Sequence, residues 1–144
     1  MSIWKITPTL EQLNKRSQNC IHDALGIQFT SVGDTFLEAS MPVDHRTKNP
    51  IGILHGGASV VLAESLGSVA SLLVAGPNEF IAVGIEINAS HLKSAQSGRV
   101  FGKATSIRLG KSIHVWDIQI RESEKLDSPL ICQSRLTVMI KPKN

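Results

Sequence analysis

From Ala58 to Gly76 the chain reads ASVVLAESLGSVASLLVAG, a nearly unbroken run of apolar and small residues with a single acid, Glu64, inside it. About nineteen such residues are enough to cross a bilayer as a helix, so any soluble fold containing them must wrap them. A carboxyl group at mid-bilayer is costly, and the flanks lack the Lys/Arg bias that orients a membrane span. The segments on both sides alternate apolar and polar residues as half-buried strands do. The run is therefore expected to be the buried central helix of a soluble domain, with no membrane partner, stopped at Gly76-Pro77-Asn78.

The rest of the chain must supply the wrapping. Thr9 followed by Gln12 reads as a capping box that opens a short helix through Leu10 and Leu13 to about Asn19. Strands are expected near Leu25 to Val32 and Thr35 to Val43, joined at Gly33-Asp34. The turn-rich segment Asp44 to Gly57 (DHRTKNPIGILHGG) is a loop that delivers the chain to the central helix. Beyond it, Ile81, Val83, Ile85 and Ile87 alternate with Ala82, Gly84, Glu86 and Asn88, the period of a strand with one buried face. Three more strands are expected around Gly98 to Leu109, Ser112 to Arg121 and Leu130 to Lys141, with Arg121 to Asp127 as a solvated hairpin tip. The expected fold is α+β: a single domain over residues 1–144, with an antiparallel sheet of about six strands packed on one long central helix. A composition of 42% hydrophobic and 19% charged residues suits such a core and excludes disordered or collagenous chains. Cys20 and Cys132 lie far apart in no metal-like or redox-like spacing, and the first residues hold no apolar export segment, so reduced thiols and a cytoplasmic location are expected.

On a helical wheel Leu62, Leu66, Val69 and Leu73 share one side, while Glu64 shares the other with Gly57, Val60, Gly67, Ser68 and Ser71. The bulky side should face the sheet, leaving the small side for a helix, a subunit or a ligand. A carboxylate there is either one member of an ion pair at a subunit interface or a catalytic group. His55-Gly56-Gly57 falls where the helix begins, and a helix start offers unpaired N–H groups and a positive dipole end. Glycine lets a carbonyl approach that backbone, which makes an oxyanion site, with Glu64 about two turns further on. No G-x-S-x-G elbow, phosphate loop or dinucleotide loop is present, and His22, His45, His55, His91 and His114 form no zinc motif. Between Glu86 and Asp117 there is no acid, yet Lys93, Arg99, Lys103, Arg108 and Lys111 occur. That strip is either a solvated face or a site for a polyanion. Single-stranded nucleic acid would need interleaved aromatics, which are scarce, so no nucleic-acid partner is expected and a phosphate-bearing carrier such as coenzyme A fits better.

The block GILHGGASVVLAESLGSVAS, preceded by MPVDHRTKNP and followed by VGIEINASHLKSAQSGRV, resembles the hotdog-fold acyl-CoA thioesterases of the 4-hydroxybenzoyl-CoA type found in phenylacetate degradation, in which a Glu on the central helix is catalytic. Within them it is most similar to the bacterial branch holding the 1,4-dihydroxy-2-naphthoyl-CoA hydrolases of menaquinone synthesis and the thioesterases that clear misacylated carrier protein in enterobactin synthesis. The resemblance implies hydrolysis of an aryl or aroyl thioester, from CoA or a carrier protein, with no metal or redox cofactor, CoA being part of the substrate. It implies Glu64 as nucleophile or general base, the Gly56 N–H as oxyanion donor, His55 as a positioning group, and Ser68 and His91 placing the attacking water. CoA-binding positions fall on Gly84, on His91, Leu92, Lys93 and Ser94, and on Arg108, Leu109, Gly110, Lys111, Ser112 and Ile113. The loop amide that assists carbonyl polarisation, usually Gln, is Asn49 here, and the basic residue after His91-Leu92 is Lys93 rather than Arg. A homodimer with sites straddling its interface is implied, commonly doubled into a tetramer. A hotdog acyl-carrier dehydratase and a non-catalytic acyl-CoA-binding module are the competing readings.

Overall fold

A computed structural model describes residues 1–144, and in it the apolar run becomes α3, Gly56–Ala75. His55 caps its start, its Nδ1 accepting from the Gly57 N–H at 2.7 Å, and Gly76 ends it at φ 107°, a left-handed conformation that favours glycine. Before it come α1 (Leu10–Arg16), α2 (Ile21–Ala24), β1 (Gln28–Val32) and β2 (Phe36–Pro42); after it come β3 (Phe80–His91), β4 (Arg99–Leu109), β5 (Ile113–Arg121) and β6 (Leu130–Pro142). The capping box is formed, with Thr9 Oγ1 and Gln12 Oε1 each accepting a backbone N–H. The helix it opens stops three residues short of the expected end. Asn19 there adopts φ 59°, and the extra turn α2 follows, too short to leave a periodic pattern.

All six strands form one antiparallel sheet in the order β1-β2-β4-β5-β6-β3, and α3 packs across β2 to β6. Extra residues at Thr30, Ile85, Ile107 and Ile131 interrupt the registers, and such bulges bend and twist strands, which curls the sheet around the helix. The core on the concave side includes Leu37, Met41, Leu62, Leu66, Trp116, Ile118 and Leu136. Trp116 donates its indole N–H to Ser71 Oγ at 2.7 Å, and Trp4 stacks on it with ring centroids 6.4 Å apart, tying the N-terminus to the core.

Two expectations about faces are corrected. The curled sheet covers a different sector of α3 from the expected one: Gly67 is buried against Leu136, where a Cβ would lie 2.5 Å from Cδ2, and Ser71 is the acceptor for Trp116, while Val69 of the bulky side is left half-buried. The strip left half-buried is Val60, Val61, Glu64, Ser68, Val69 and Leu72. On β3 the alternation is real, but the side is reversed over its first half. Ile81, Val83 and Ile85 are 42%, 41% and 51% exposed, while Ala82 and Gly84 face the helix; the bulge at Ile85 then switches the phase so that Ile87 and Ala89 turn inward. Small residues sit inward there because the Glu64 side chain occupies the space.

Candidate active site

The loop from Asp44 to His55 is braced before it reaches the helix. The Arg46 guanidinium grips the Asp44 carboxylate, Nη2 to Oδ2 at 2.7 Å, and this hydrogen bond holds the Asp44 carboxyl far below the usual carboxylate range. Thr47 Oγ1 donates to the Pro42 carbonyl at 2.7 Å, and the His55 N–H to the Thr47 carbonyl at 2.8 Å. Within that frame Asn49 Oδ1 accepts from the N–H groups of Ile51 (3.1 Å) and Ile53 (3.3 Å). With the amide oxygen engaged, the Nδ2 group is the end left to donate outward.

At the start of α3 the His55 side chain takes the Gly57 N–H and the His55 carbonyl takes those of Ala58 and Ser59, so Gly56 is left with an N–H that has no partner in the protein. Since Nδ1 of His55 accepts, its ring hydrogen is on Nε2. His91 lies over Gly56 so closely that a Cβ there would be 2.7 Å from Nε2. Gly56, Asn49, His91, Leu92, Lys93 and Ser94 line one cavity of about 350 Å³, with Ile53, Leu54, Ser59 and Ile131 as further walls that sequence reasoning missed. These four are ordinary apolar or small residues in the sequence, and only the fold marks them.

Glu64 lies elsewhere, in an open concavity of about 330 Å³ with Ser68, where Ile21, His22, Leu72 and Ala82 are walls the sequence did not indicate. A Cβ on Gly84 would lie 2.3 Å from Glu64 Oε2, so a side chain there would displace the carboxylate. None of the chain's four ion pairs includes Glu64.

The basic strip does not survive folding as one surface. Arg99 donates to Ser40 Oγ (3.1 Å) and the Gly26 carbonyl (3.2 Å), Lys103 sits 4.0 Å over the Phe36 ring and near Glu38, and Lys93 pairs with Glu122 at 2.5 Å. Arg108 and Lys111 remain, on the hairpin formed by Arg108, Leu109, Gly110, Lys111, Ser112 and Ile113. It is closed by a bond from the Gly110 N–H to the Ile113 carbonyl at 2.9 Å. Beneath it His114 is buried at 3% exposure with Nδ1 unpartnered, and desolvation pushes its pKa down, opposed by a hydrogen bond to the Gly110 backbone. Through the registers Gly84↔Val138↔His114 the hairpin is level with the Glu64 end of β3, not with the His91 end.

The expected site is therefore split within one chain. Gly56 and Glu64 are separated by about 12 Å of helix rise, so a carbonyl held at the Gly56 N–H cannot present its carbon to the same chain's Glu64. His91 and Gly84, near opposite ends of β3, are about 20 Å apart along the strand. No three His, Cys, Asp or Glu side chains come together in a metal-ligating arrangement.

Residues 51–128 match the sequence profile of the thioesterase superfamily. A Pseudomonas aeruginosa thioesterase, solved as a Gln-to-Ala variant, is 51% identical, covers 99% of this chain and 100% of its own, and superposes with a TM-score of 0.92. The 1,4-dihydroxy-2-naphthoyl-CoA hydrolase of Escherichia coli K12 is 49% identical over 96% of this chain and 98% of its own length. A Staphylococcus aureus protein, solved as Glu-to-Ala and Gln-to-Ala variants, is 40% identical, covers 86% and 85% of this chain and 100% and 98% of its own, and gives TM-scores of 0.79 and 0.80. The two residues altered in it are separated along its chain by the same interval as Asn49 and Glu64 here. A six-stranded antiparallel sheet curled around one long helix, a free N–H at the start of that helix, an unpaired carboxylate further along it and these relatives lead to one conclusion: the chain belongs to the thioesterase superfamily and is a thioester hydrolase of the hotdog fold.

Proposed function

We propose that the chain hydrolyses an aryl or aroyl thioester of coenzyme A, 1,4-dihydroxy-2-naphthoyl-CoA being the leading candidate, and that it does so as a homodimer whose two sites each combine residues of both copies. The observation that carries this reading is the unpartnered Gly56 N–H at the wall of a cavity, about 12 Å from a carboxylate that opens into a different one. β3 is a long edge strand with exposed backbone and outward Ile81, Val83 and Ile85, which is a template for pairing with another strand. Antiparallel pairing of β3 with its own copy about a two-fold axis near Ile87 and Asn88 sets Gly84 of one chain opposite His91 of the other. Glu64 of one copy then faces Gly56 of the other.

In the assembled site the Gly56 N–H polarises the thioester carbonyl, with the Asn49 Nδ2 group as a second donor. Glu64 either attacks the carbonyl carbon, expelling the CoA thiolate and leaving a mixed anhydride that water opens, or takes the proton from the water that attacks. Both routes end in free acid and CoA, and neither requires a metal or redox cofactor. His55 holds the first turn of α3 in place, and His91 and Ser68 sit where they can place the water. His91 to Ser94 of one copy and Gly84 and Arg108 to Ile113 of the other flank the site, and Arg108, Lys111 and Lys93 supply positive charge for the CoA phosphates. Free Cys20 and Cys132 fit a reducing, cytoplasmic setting.

A thiol-release screen over aroyl-CoA, aliphatic acyl-CoA and acyl-carrier-protein substrates tests the reading. Fastest release from an aroyl-CoA supports it; preference for an aliphatic chain contradicts the acyl assignment, and preference for carrier protein contradicts the donor.

A further inference from the structure

His22 lies on α2, a turn that sequence periodicity did not indicate, and its ring is a shared wall of two hollows. One is the concavity that holds Glu64 and Ser68; the other is a deeper space of about 140 Å³ reaching Leu13 and Phe29 under α1. Val69 and Leu72 of α3 are the other shared walls. The two hollows adjoin at these three residues, one holding the carboxylate and the other lying under the N-terminal helices.

The tautomer of His22 follows from its neighbours. Ser17 Oγ donates its one hydrogen to the Leu13 carbonyl at 3.1 Å, so at the 3.1 Å contact between Ser17 Oγ and His22 Nδ1 the ring nitrogen is the donor. Burial pushes the His22 pKa down, which keeps the ring neutral at physiological pH. Phe29 meets the ring edge-on, with centroids 6.1 Å apart and planes at 64°, and fixes its orientation. Nε2 is thus an acceptor with no partner in the protein, on a ring that borders both hollows, whose linings also carry Arg16, Ser17, Glu64, Ser65 and Ser68.

We propose that His22 determines acyl specificity: its Nε2 accepts a hydrogen bond from a hydroxyl on the aromatic ring of the acyl group, while Val69 and Leu72 hold the ring's face. This rests on the thioesterase reading above, with Glu64 at the reacting carbonyl. An acceptor that loses water to the bound arene and gains no donor is penalised, so an arene that lacks the hydroxyl, or carries a methoxy group in its place, is discriminated against.

The test measures kcat/KM by thiol release for benzoyl-CoA, the ortho-, meta- and para-hydroxybenzoyl-CoA isomers, and the methoxy analogue of the best isomer. For the wild type one hydroxy isomer is expected to exceed both benzoyl-CoA and its methoxy analogue by about tenfold. His22→Leu is expected to collapse that ratio to within about twofold of one, and His22→Gln, which keeps an acceptor, to retain part of it. An unchanged ratio in His22→Leu, or a uniform loss across all substrates in both variants, overturns the proposal. No aroyl-CoA hydrolysis by the wild type contradicts the function itself, a separate outcome that removes this inference with it.

Discussion

The two ends of the candidate site are built in different ways. At Gly56 the reactive group is backbone: a single N–H made available because His55 takes the next three, in a loop locked by Asp44, Arg46, Thr47 and Asn49. At Glu64 the reactive group is a side chain without an ion-pair partner, kept in its place by the lack of a Cβ at Gly84. The first end can polarise a carbonyl but has no carboxylate within reach; the second can attack or activate water but has no oxyanion donor. On the proposed reading each end is half of the site within one chain, and the long open edge of β3 is where a second chain would complete both.

The largest effect is expected at the carboxylate. Glu64→Gln removes the only acid on α3 and should lower kcat by about 10³-fold or more, with an unchanged thermal midpoint and oligomeric state. A folded variant with near-normal turnover would end its catalytic role. Displacing the carboxylate without removing it should cost less. Gly84→Val puts atoms where Glu64 Oε2 now lies, and misplacement on the scale of 1 Å is expected to cost about 10² in kcat. If Gly84→Val raises KM alone, Gly84 serves CoA binding and not the carboxylate.

Charge separates the two ends more gently. Lys111, on the hairpin level with Glu64, has no acidic partner, whereas Lys93, beside the Gly56 cavity, is already paired with Glu122. Lys111→Ala should raise the KM for acyl-CoA about three- to tenfold with little change in kcat, and Lys93→Ala less, both effects shrinking as salt is added. Equal effects would mean that the Glu122 pair opens when CoA binds. The smallest effect is one of pH. The folded-state pKa of His114 is lowered by burial, so the unfolded chain binds a proton that the native hairpin refuses. The stability this contributes is complete above the ordinary histidine value of 6.5 and is lost as pH falls below it towards the lowered folded value. Thermal midpoints at pH 7.5 and 5.5 should show a smaller acid drop in His114→Gln than in the wild type; equal drops would remove His114 from the account.

Much of this was legible in the sequence where one segment determines its own structure. The Thr9–Gln12 cap, the Gly76 stop and the hairpin positions depend on local chemistry, and each stands where the residues put it. What was not legible depends on curvature and on partners. A straight wheel assigns Gly67 and Ser71 to the side of Glu64, but a bulged sheet curls far enough to bury both, leaving Glu64 and Ser68 half-buried. The single extra residue at Ile85 changes which side of β3 is covered, and no periodicity announces where a bulge falls. The basic strip looked continuous because charge was counted along the chain, while the fold spends Arg99 and Lys103 on structural contacts and leaves Arg108 and Lys111 at the other end of the sheet from Lys93. His22 and α2 left no pattern at all, four residues being less than the repeat needed to see one.

Complementation between two inactive chains tests the central claim most directly. Glu64→Gln removes the carboxylate, and Gly56→Val closes the oxyanion cavity by driving a side chain into His91. Each variant alone should be inactive. If every site takes Glu64 from one copy and Gly56 from the other, a mixed dimer has one site with both defects and one with neither, so an equimolar, subunit-exchanged mixture should recover about a quarter of wild-type kcat. If a single chain holds a complete site, every site in the mixture carries a defect, and activity that stays at the level of the separate variants would contradict the account.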